Sequence, residues 1–451
     1  MCEIKTRQGA ELHRFKQGDH CILLDVCGGG VYVVDEQIYN ALGDCDYSKT
    51  PEYAELCEAG LFKDKDDYAQ YADMNVKAPL KAICLQVSHE CNLRCGYCFA
   101  EDVVSGETSY RKGIMSPETA KKAVDFLIRG SRERKHLEID FFGGEPLLAW
   151  DAITQAVEYA KKQGEKHEKQ FKFTITTNGI LLDDEKSDFI NREMNNIVMS
   201  LDGRRETNDR FRKCVNGKGS YDLVLPKFKK LVDSRIGNKK DFTDYFIRGT
   251  YTSFNLDFAN DVLKIAEEGF KHISIEPVTA EPHLSFALKT EHLPRIKDEY
   301  DKLFEIMLVQ KPDWSFFHFC IDLTDAPCIL KRLRGCGAGN EYIAITPDGS
   351  IFPCHRYVGI ETLKMGNIND ERFFEEHGER IKAYFAKTHI YAKSKCKTCW
   401  ARFYCGGGCN AEFYIFEGDA NVPSDIFCEL MKKRIECALA LTVAEKITEN
   451  L

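Results

Sequence analysis

The chain has 451 residues and a formal net charge of −9, with 62 Lys and Arg against 71 Asp and Glu. That acidic balance argues against nucleic acid as a main partner. Twenty cysteines occur without a signal-peptide pattern or an apolar run of membrane length, which excludes a secreted disulfide framework and a membrane span and predicts a cytoplasmic protein whose clustered cysteines bind metal.

In chain order, residues 11–75 read as a separate small module. Leu12–Lys16, His20–Val26 and Val31–Val34 predict three short strands, turned at Gly18-Asp19 and Gly28-Gly29-Gly30. Helices near Glu36–Leu42 and Pro51–Ala59 follow. A small sheet of this kind holds a peptide by accepting it as an added strand; the plainer alternative is a domain that shields its neighbour. Cys21, Cys27, Cys45 and Cys57 lack metal spacing.

Ala82–Ser88 predicts a buried strand that ends where Cys91-x3-Cys95-x2-Cys98 begins. A 4Fe–4S cube wants four ligands and this loop offers three, leaving one iron for a ligand that is not protein. In this spacing the usual occupant is S-adenosylmethionine, and reduction of its sulfonium releases a 5′-deoxyadenosyl radical. Tyr97 is placed to lie over the adenine. A zinc knuckle is the competing reading, but zinc ribbons favour paired C-x2-C hooks.

Units of roughly thirty residues then repeat, the length of a βα pair. A helix opens at Ser116-Pro117-Glu118, with Ser as N-cap. Strands are expected at Leu137–Phe142, Phe171–Thr176, Ile197–Leu201, Tyr245–Tyr251 and His272–Glu276. Helices are expected at Asp151–Gln163, Asp183–Asn195, Tyr221–Asp233 and Phe258–Glu267. Six βα units are too few for a full eight-fold barrel and predict a parallel sheet in an open, partial barrel, with ligands at the carboxyl ends of its strands. Unusual residues do recur at those ends: Gly143-Gly144-Glu145-Pro146, Thr176-Thr177-Asn178-Gly179, Ser200-Leu201-Asp202-Gly203 with Arg210 and Arg212, and Glu276. Glu145 suits an ammonium, and Arg212 a carboxylate that it can fork onto. Ser200 and Glu276 are further cofactor-binding candidates.

Cys336 and Cys354 precede a run of Cys396-x2-Cys399-x5-Cys405-x3-Cys409-x18-Cys428. Gly406-Gly407-Gly408 lets that run fold tightly. The set exceeds one tetrahedral zinc site.

The cysteine triplet, Gly-Gly-Glu-Pro, Thr-Asn-Gly and Ser-Leu-Asp-Gly resemble the radical S-adenosylmethionine superfamily throughout the middle of the chain. The resemblance implies that Gly143, Gly144 and Glu145 bind the methionine amino group. It implies that Ser200 and Arg212 serve the ribose and carboxylate. The C-terminal spacing resembles the SPASM extension, which implies two auxiliary 4Fe–4S clusters, three clusters in all. Cys396, Cys399, Cys405 and Cys428 would hold one; Cys336, Cys354 and Cys409 would hold the other. Two cubes need eight thiolates and this list gives seven, with Tyr342 near where the family often has another cysteine. Cys320 or Cys328 supplies the eighth, or one iron stays open for a substrate thiolate; the open iron is the favoured reading.

The N-terminal module resembles the winged, PqqD-like element that captures leader peptides. The expected organisation is therefore a recognition element at 1–78, a partial (β/α)6 radical S-adenosylmethionine barrel at 79–310 and a SPASM domain at 311–451. Together these look most like the SCIFF maturases, which join a cysteine sulfur to carbon, often of threonine, in a ribosomally made precursor peptide. A reductant such as flavodoxin or ferredoxin is implied. A sulfatase-type maturase forming formylglycine and a non-catalytic peptide-binding or electron-transfer protein are the alternatives.

Overall fold

The computed structural model describes residues 4–5, 11–42, 51–58, 66–73, 78–99, 113–237, 244–321, 329–370, 372 and 376–449. It separates into two compact units. One is Met1–Met74, Lys289–Gly335 and Thr388–Leu451; the other is Asn75–Leu288 and Cys336–Lys387. These units cut the chain differently from the boundaries read at residues 78 and 310, because the first unit brings the two ends of the chain together.

In that first unit β1 (Ile4–Lys5), β2 (Glu11–Gln17), β3 (His20–Asp25) and β4 (Val31–Val34) form an antiparallel sheet in sequence order. Gly18 takes φ +56° in the two-residue turn between β2 and β3, where Gln17 pairs His20. Leu12, Leu23 and Leu42 make the buried centre, with Tyr32, Ile38 and Cys57 packed against it. The helix Glu36–Ala41 starts where Asp35 accepts from the Ile38 backbone N–H at 2.8 Å. The sheet is tied to the helices Leu293–Gln310 and Asp425–Glu449. His13 Nε2 lies 2.9 Å from Glu436, Gln17 donates to Asp301 at 2.6 Å, and Lys433 donates to Gln17 at 2.9 Å.

The second unit is the partial barrel. Its parallel strands are β5 (Ala82–Ser88), β7 (His136–Gly143), β8 (Gln170–Thr177), β9 (Asn196–Ser200), β11 (Asp244–Tyr251) and β12 (His272–Pro277), in spatial order β12-β11-β9-β8-β7-β5. Each lies within a residue or so of its expected range. Their βα alternation is visible in sequence because each helix buries one stripe on one sheet face. Alternation along β11 buries Tyr245, Ile247 and Tyr251 on that face. It leaves Arg248 on the other, in register with Ser200 and Ser274. The helix Pro117–Ser131 begins as read, with Ser116 Oγ accepting from Thr119 N at 3.1 Å.

Two features were not anticipated. Tyr342–Ile345 adds a parallel strand beside β5, and Ser350–Phe352 and Gly366–Asn367 continue the sheet antiparallel. Leu93–Cys95 (β6) and Arg212–Cys214 (β10) form a separate antiparallel ribbon, with Arg212 opposite Cys95. Among the described residues no helix is long and apolar enough to cross a membrane.

Asp261, fully buried, holds the loop after β9. Its carboxylate accepts from Arg204 N and Nε at 3.0 and 2.8 Å, from Thr207 at 2.9 Å and from Asn255 at 3.1 Å. Arg204, about a quarter exposed, also forks onto Asp257 at 2.9 Å and so keeps a partner when Asp261 is neutralised. Asp261→Asn is therefore expected to lower stability by about 1.5–3 kcal/mol, the range of a hydrogen bond to a charged group, in urea unfolding, with iron content unchanged.

Candidate active site and metal centres

The first cysteine loop starts where β5 stops. Its base is held by backbone. Gly144 N donates to Ser88 O at 2.7 Å and Glu145 N to Glu90 O at 2.9 Å. A Cβ on Gly143, which has φ +143°, would stand 2.1 Å from Ser88 O; one on Gly144 would stand 2.4 Å from Glu90 O. The two glycines were read as allowing close approach to a ligand. In the fold they allow close approach to the cysteine loop itself.

Glu145 is fully buried. One carboxylate oxygen accepts from Thr177 Oγ1 at 2.8 Å and Leu147 N at 3.1 Å; the other accepts from Asn178 N at 2.8 Å. Burial pushes its carboxyl up to about 7 against those hydrogen bonds. Thr177-Asn178-Gly179 is thus not only a turn. Asn178 Nδ2 also reaches Asn92 Oδ1 at 2.8 Å and Cys91 Sγ at 3.6 Å. Asn178 was not singled out from sequence, although its motif was; its role depends on a side-chain direction that no spacing reveals.

Tyr97 Oη donates to Asp202 at 2.5 Å, and Arg212 Nε pairs with the same carboxylate at 2.9 Å. The Arg212 guanidinium lies 5.6 Å from the Tyr97 ring centre. Ser200 ends β9, and Glu276, near the end of β12, accepts from Ser274 Oγ at 2.8 Å. Arg212, Tyr97, Glu145 and the three cysteines are therefore linked through named contacts, while Ser200 and Glu276 sit at neighbouring strand ends.

The donor set fits a cluster. Burial pushes the Cys91 thiol up to about 11 and Cys95 to about 12, and both feel Cys98. Such thiols become thiolates when a cation binds them. Among the described residues no three His, Cys, Asp or Glu converge on one metal ion; a cube instead takes each thiolate on a separate iron. Asn92 Nδ2, beside Cys91, is buried without a hydrogen-bond partner in the structure, a donor suited to a sulfide or to a bound cofactor.

In the other unit Cys396, Cys399, Cys405 and Cys428 line one cavity of about 780 Å³. Burial lifts Cys396 to about 11 and Cys405 and Cys428 to about 12, and the four sulfurs influence one another. Gly406, Gly407 and Gly408 all have positive φ, 64°, 85° and 73°, which is how the chain doubles back between Cys405 and Cys409. The Gly407 carbonyl accepts from buried Lys393 at 2.6 Å. Cys409 does not line the cavity; it stands at the N-cap position of the helix Asn410–Glu417 without a side-chain capping bond. Cys336 and Cys354 belong to the barrel unit, where buried Cys354 influences Cys84 and Tyr342. Cys320 lines a different cavity, in which no other cysteine takes part; Cys328 lies outside the described residues.

β2 forms one wall of the four-cysteine cavity, through Glu11, Leu12, His13 and Arg14. His13 stacks on Trp400, centroids 3.7 Å apart and planes 2° from parallel. Arg402, buried, pairs with Glu11, lies 3.5 Å from Cys27 Sγ and donates to Cys399 O at 3.2 Å. Cys27, read as an ordinary cysteine, here packs against the arginine of the cysteine loop.

Residues 85–252 match the radical SAM superfamily model, and residues 336–400 match the iron-sulfur cluster-binding domain model, SPASM. The chain carries both domains, which imply 4Fe–4S clusters and S-adenosylmethionine binding. A cysteine-type anaerobic sulfatase-maturating enzyme of Clostridium novyi is 24% identical over 77% of this chain and 92% of its own length. A solved structure of anSMEcpe with bound AdoMet shares the fold at TM-score 0.65 and 24% identity, covering 82% of this chain and 99% of that one. Streptococcus suis SuiB bound to precursor peptide SuiA shares it at TM-score 0.54 and 15% identity, covering 94% of this chain and 99% of that one.

Two outcomes are expected. Glu145→Gln places an NH2 group against a donor, which removes a hydrogen bond to a charged group and should cost about 1.5–3 kcal/mol. The raised carboxyl also means that the folded state holds a proton more tightly than the unfolded one. The parent therefore loses stability as pH rises from about 4.5 through about 7, and the glutamine variant should show a flatter urea midpoint over that window. Second, deleting residues 1–73 strips the wall from the four-cysteine cavity. The truncated chain should hold less iron than the parent after reconstitution, rather than behaving as a barrel with a removable module.

Proposed function

We propose that this chain is a radical S-adenosylmethionine enzyme that forms thioethers in a ribosomally made, cysteine-rich precursor peptide, of the kind made by the SCIFF maturases. A cysteine sulfur is joined to carbon, with threonine as acceptor, so that one S–H and one C–H are given up for each S–C bond. The observation that carries this reading is the N-terminal sheet. Its outer strand β4 is an edge to which a peptide strand can add, while β2 walls the cavity lined by four cysteines. Peptide capture and an auxiliary centre therefore share one compact unit.

Cys91, Cys95 and Cys98 would hold the first cluster, which with bound S-adenosylmethionine would supply radical chemistry for hydrogen abstraction from the acceptor carbon. Gly143, Gly144 and Glu145 shape the methionine amino site, Arg212 and Ser200 serve the carboxylate and ribose, Tyr97 borders the adenine, and Glu276 is a further cofactor-binding residue near the end of β12. Cys396, Cys399, Cys405 and Cys428, which line one cavity, would hold an auxiliary cluster. A small acidic electron carrier such as flavodoxin or ferredoxin supplies electrons in the cytoplasm.

A second reading, favoured by the likeness to the sulfatase-maturating relative, is oxidation of a cysteine or serine to formylglycine. Co-expression with a cysteine-rich peptide separates the two. A thioether removes the mass of a hydrogen molecule per crosslink and blocks alkylation of that cysteine; an aldehyde instead reacts with a hydrazine reagent. Replacing Cys91, Cys95 and Cys98 with Ala should abolish formation of 5′-deoxyadenosine and of either product. An unmodified peptide with active cofactor cleavage would overturn the peptide assignment alone.

A further inference from the structure

Taking the cofactor site above as given, we propose that Asp202 is a positioning residue that sets both Tyr97 and Arg212 for S-adenosylmethionine. Asp202 lies two residues past β9 and is almost fully buried. Its two oxygens go to the two sides of the β6–β10 ribbon. Oδ2 accepts from Tyr97, the residue between the second and third cluster cysteines. Oδ1 meets Arg212 Nε at 2.9 Å, and Arg212 is the residue directly opposite Cys95. Oδ1 also accepts from Thr250 N at 3.0 Å, and Asn208 Oδ1 accepts from Asp202 N at 3.3 Å. One carboxylate thus fixes the ribbon against the ends of β9 and β11.

The consequences follow from chemistry. Arg212 is largely withdrawn from water beside Asp202, its side chain 12% exposed, and a guanidinium so placed is costly unless a charge partner meets it. A guanidinium has five N–H donors, so a carboxylate met at Nε does not exhaust it. Asp202 can therefore orient Arg212 while Arg212 receives a second carboxylate, that of the methionine moiety. The Tyr97 hydroxyl, pinned by Asp202, fixes the ring between Arg212 and Phe211, whose centroid is 5.1 Å away. Gly96 N donates to Phe211 O at 3.1 Å, so moving Tyr97 moves the backbone that carries Cys95 and Cys98. No contact of Asp202 with the cofactor is needed.

The test uses the reconstituted full-length enzyme, S-adenosylmethionine and a chemical reductant. Asp202→Asn keeps the shape but cannot accept on both atoms and removes the charge facing Arg212. Iron content should match the parent. The KM for S-adenosylmethionine in 5′-deoxyadenosine formation should rise about tenfold, the ratio to which ~1.4 kcal/mol corresponds, with a smaller change in kcat. The cofactor-induced change in the electron paramagnetic resonance signal of the reduced first cluster should need correspondingly more cofactor. Tyr97→Phe, which removes one bond to Asp202, should raise KM by a smaller factor. Tyr159→Phe, which removes a hydroxyl bonded to Asp125 at 3.0 Å between two helices of the same unit, should leave KM unmoved. A KM within twofold of the parent for Asp202→Asn overturns the proposal, as does loss of the first cluster in both Asp202→Asn and Tyr97→Phe. If Asp202→Asn fails to fold, a Tyr97→Phe KM within twofold of the parent overturns it equally. If instead the parent forms no 5′-deoxyadenosine, or Cys98→Ala retains it, the cofactor reading itself is wrong, independently of Asp202.

Discussion

A turn bearing three cysteines has little to hold it. It is too short for a core, and without metal its thiols gain nothing from one another. Here the fold constrains it from two sides. Beneath, Ser88 and Glu90 carbonyls accept from Gly144 and Glu145, a contact that only glycine at 143 and 144 permits because any Cβ would overlap the Ser88 or Glu90 carbonyl. At the side, β6 pairs with β10 and is tied down by Asp202. The cluster loop is thus rigid because four strand ends converge on it, which is the arrangement a site needs if its ligands are to keep their geometry.

Glu145 shows how the pieces depend on one another. Its backbone N–H grips the cysteine loop, while its side chain takes the N–H of Asn178 and the hydroxyl of Thr177. Asn178 in turn reaches back to Cys91 and Asn92. Hydrogen bonds to cysteine sulfurs are among the terms that set a cluster's potential. The strand end after β8 therefore acts on the same loop as the strand end after β7, and neither could change alone without leaving a buried polar group unmet.

The strands and helices of the barrel were readable because burying one face imposes a period, and periods survive in sequence. The run from Cys396 to Cys428 was legible as a group by its spacing, and Cys396, Cys399, Cys405 and Cys428 do line one cavity. What escaped was everything that joins distant segments by side chains. Thr177-Asn178-Gly179 looks like many turns until Glu145 is seen against it. Arg212 reads as a ligand for a carboxylate, and in the fold its Nε meets that of Asp202, a partner no spacing reveals. The glycine pair reads as a close-approach site, and in the fold its backbone also packs on the cysteine loop. The strand Tyr342–Ile345, which lengthens the sheet beside β5, was hidden because a short apolar run after Gly337 and Gly339 reads equally well as loop.

The least anticipated result concerns the two ends of the chain. A module that recognises a peptide needs nothing more than an edge strand and a small core, and such modules are commonly portable. Here the module is not built that way. His13 is held between Trp400 and Glu436, and Arg402, buried, meets Glu11 and Cys27. Breaking these contacts would leave a buried guanidinium uncompensated, a cost larger than most surface contacts can offset. The same strand that borders the cysteine cavity pairs with β3, and β3 pairs with the edge strand β4. A peptide strand added at that edge therefore lies only three strands from the C-terminal cysteines, joined to them by main-chain hydrogen bonds rather than by a flexible linker. A metal centre that orders the Cys396–Cys428 loop would order the strand that walls it, and any effect of a bound peptide on that loop would be matched in the reverse direction, because binding couplings are reciprocal.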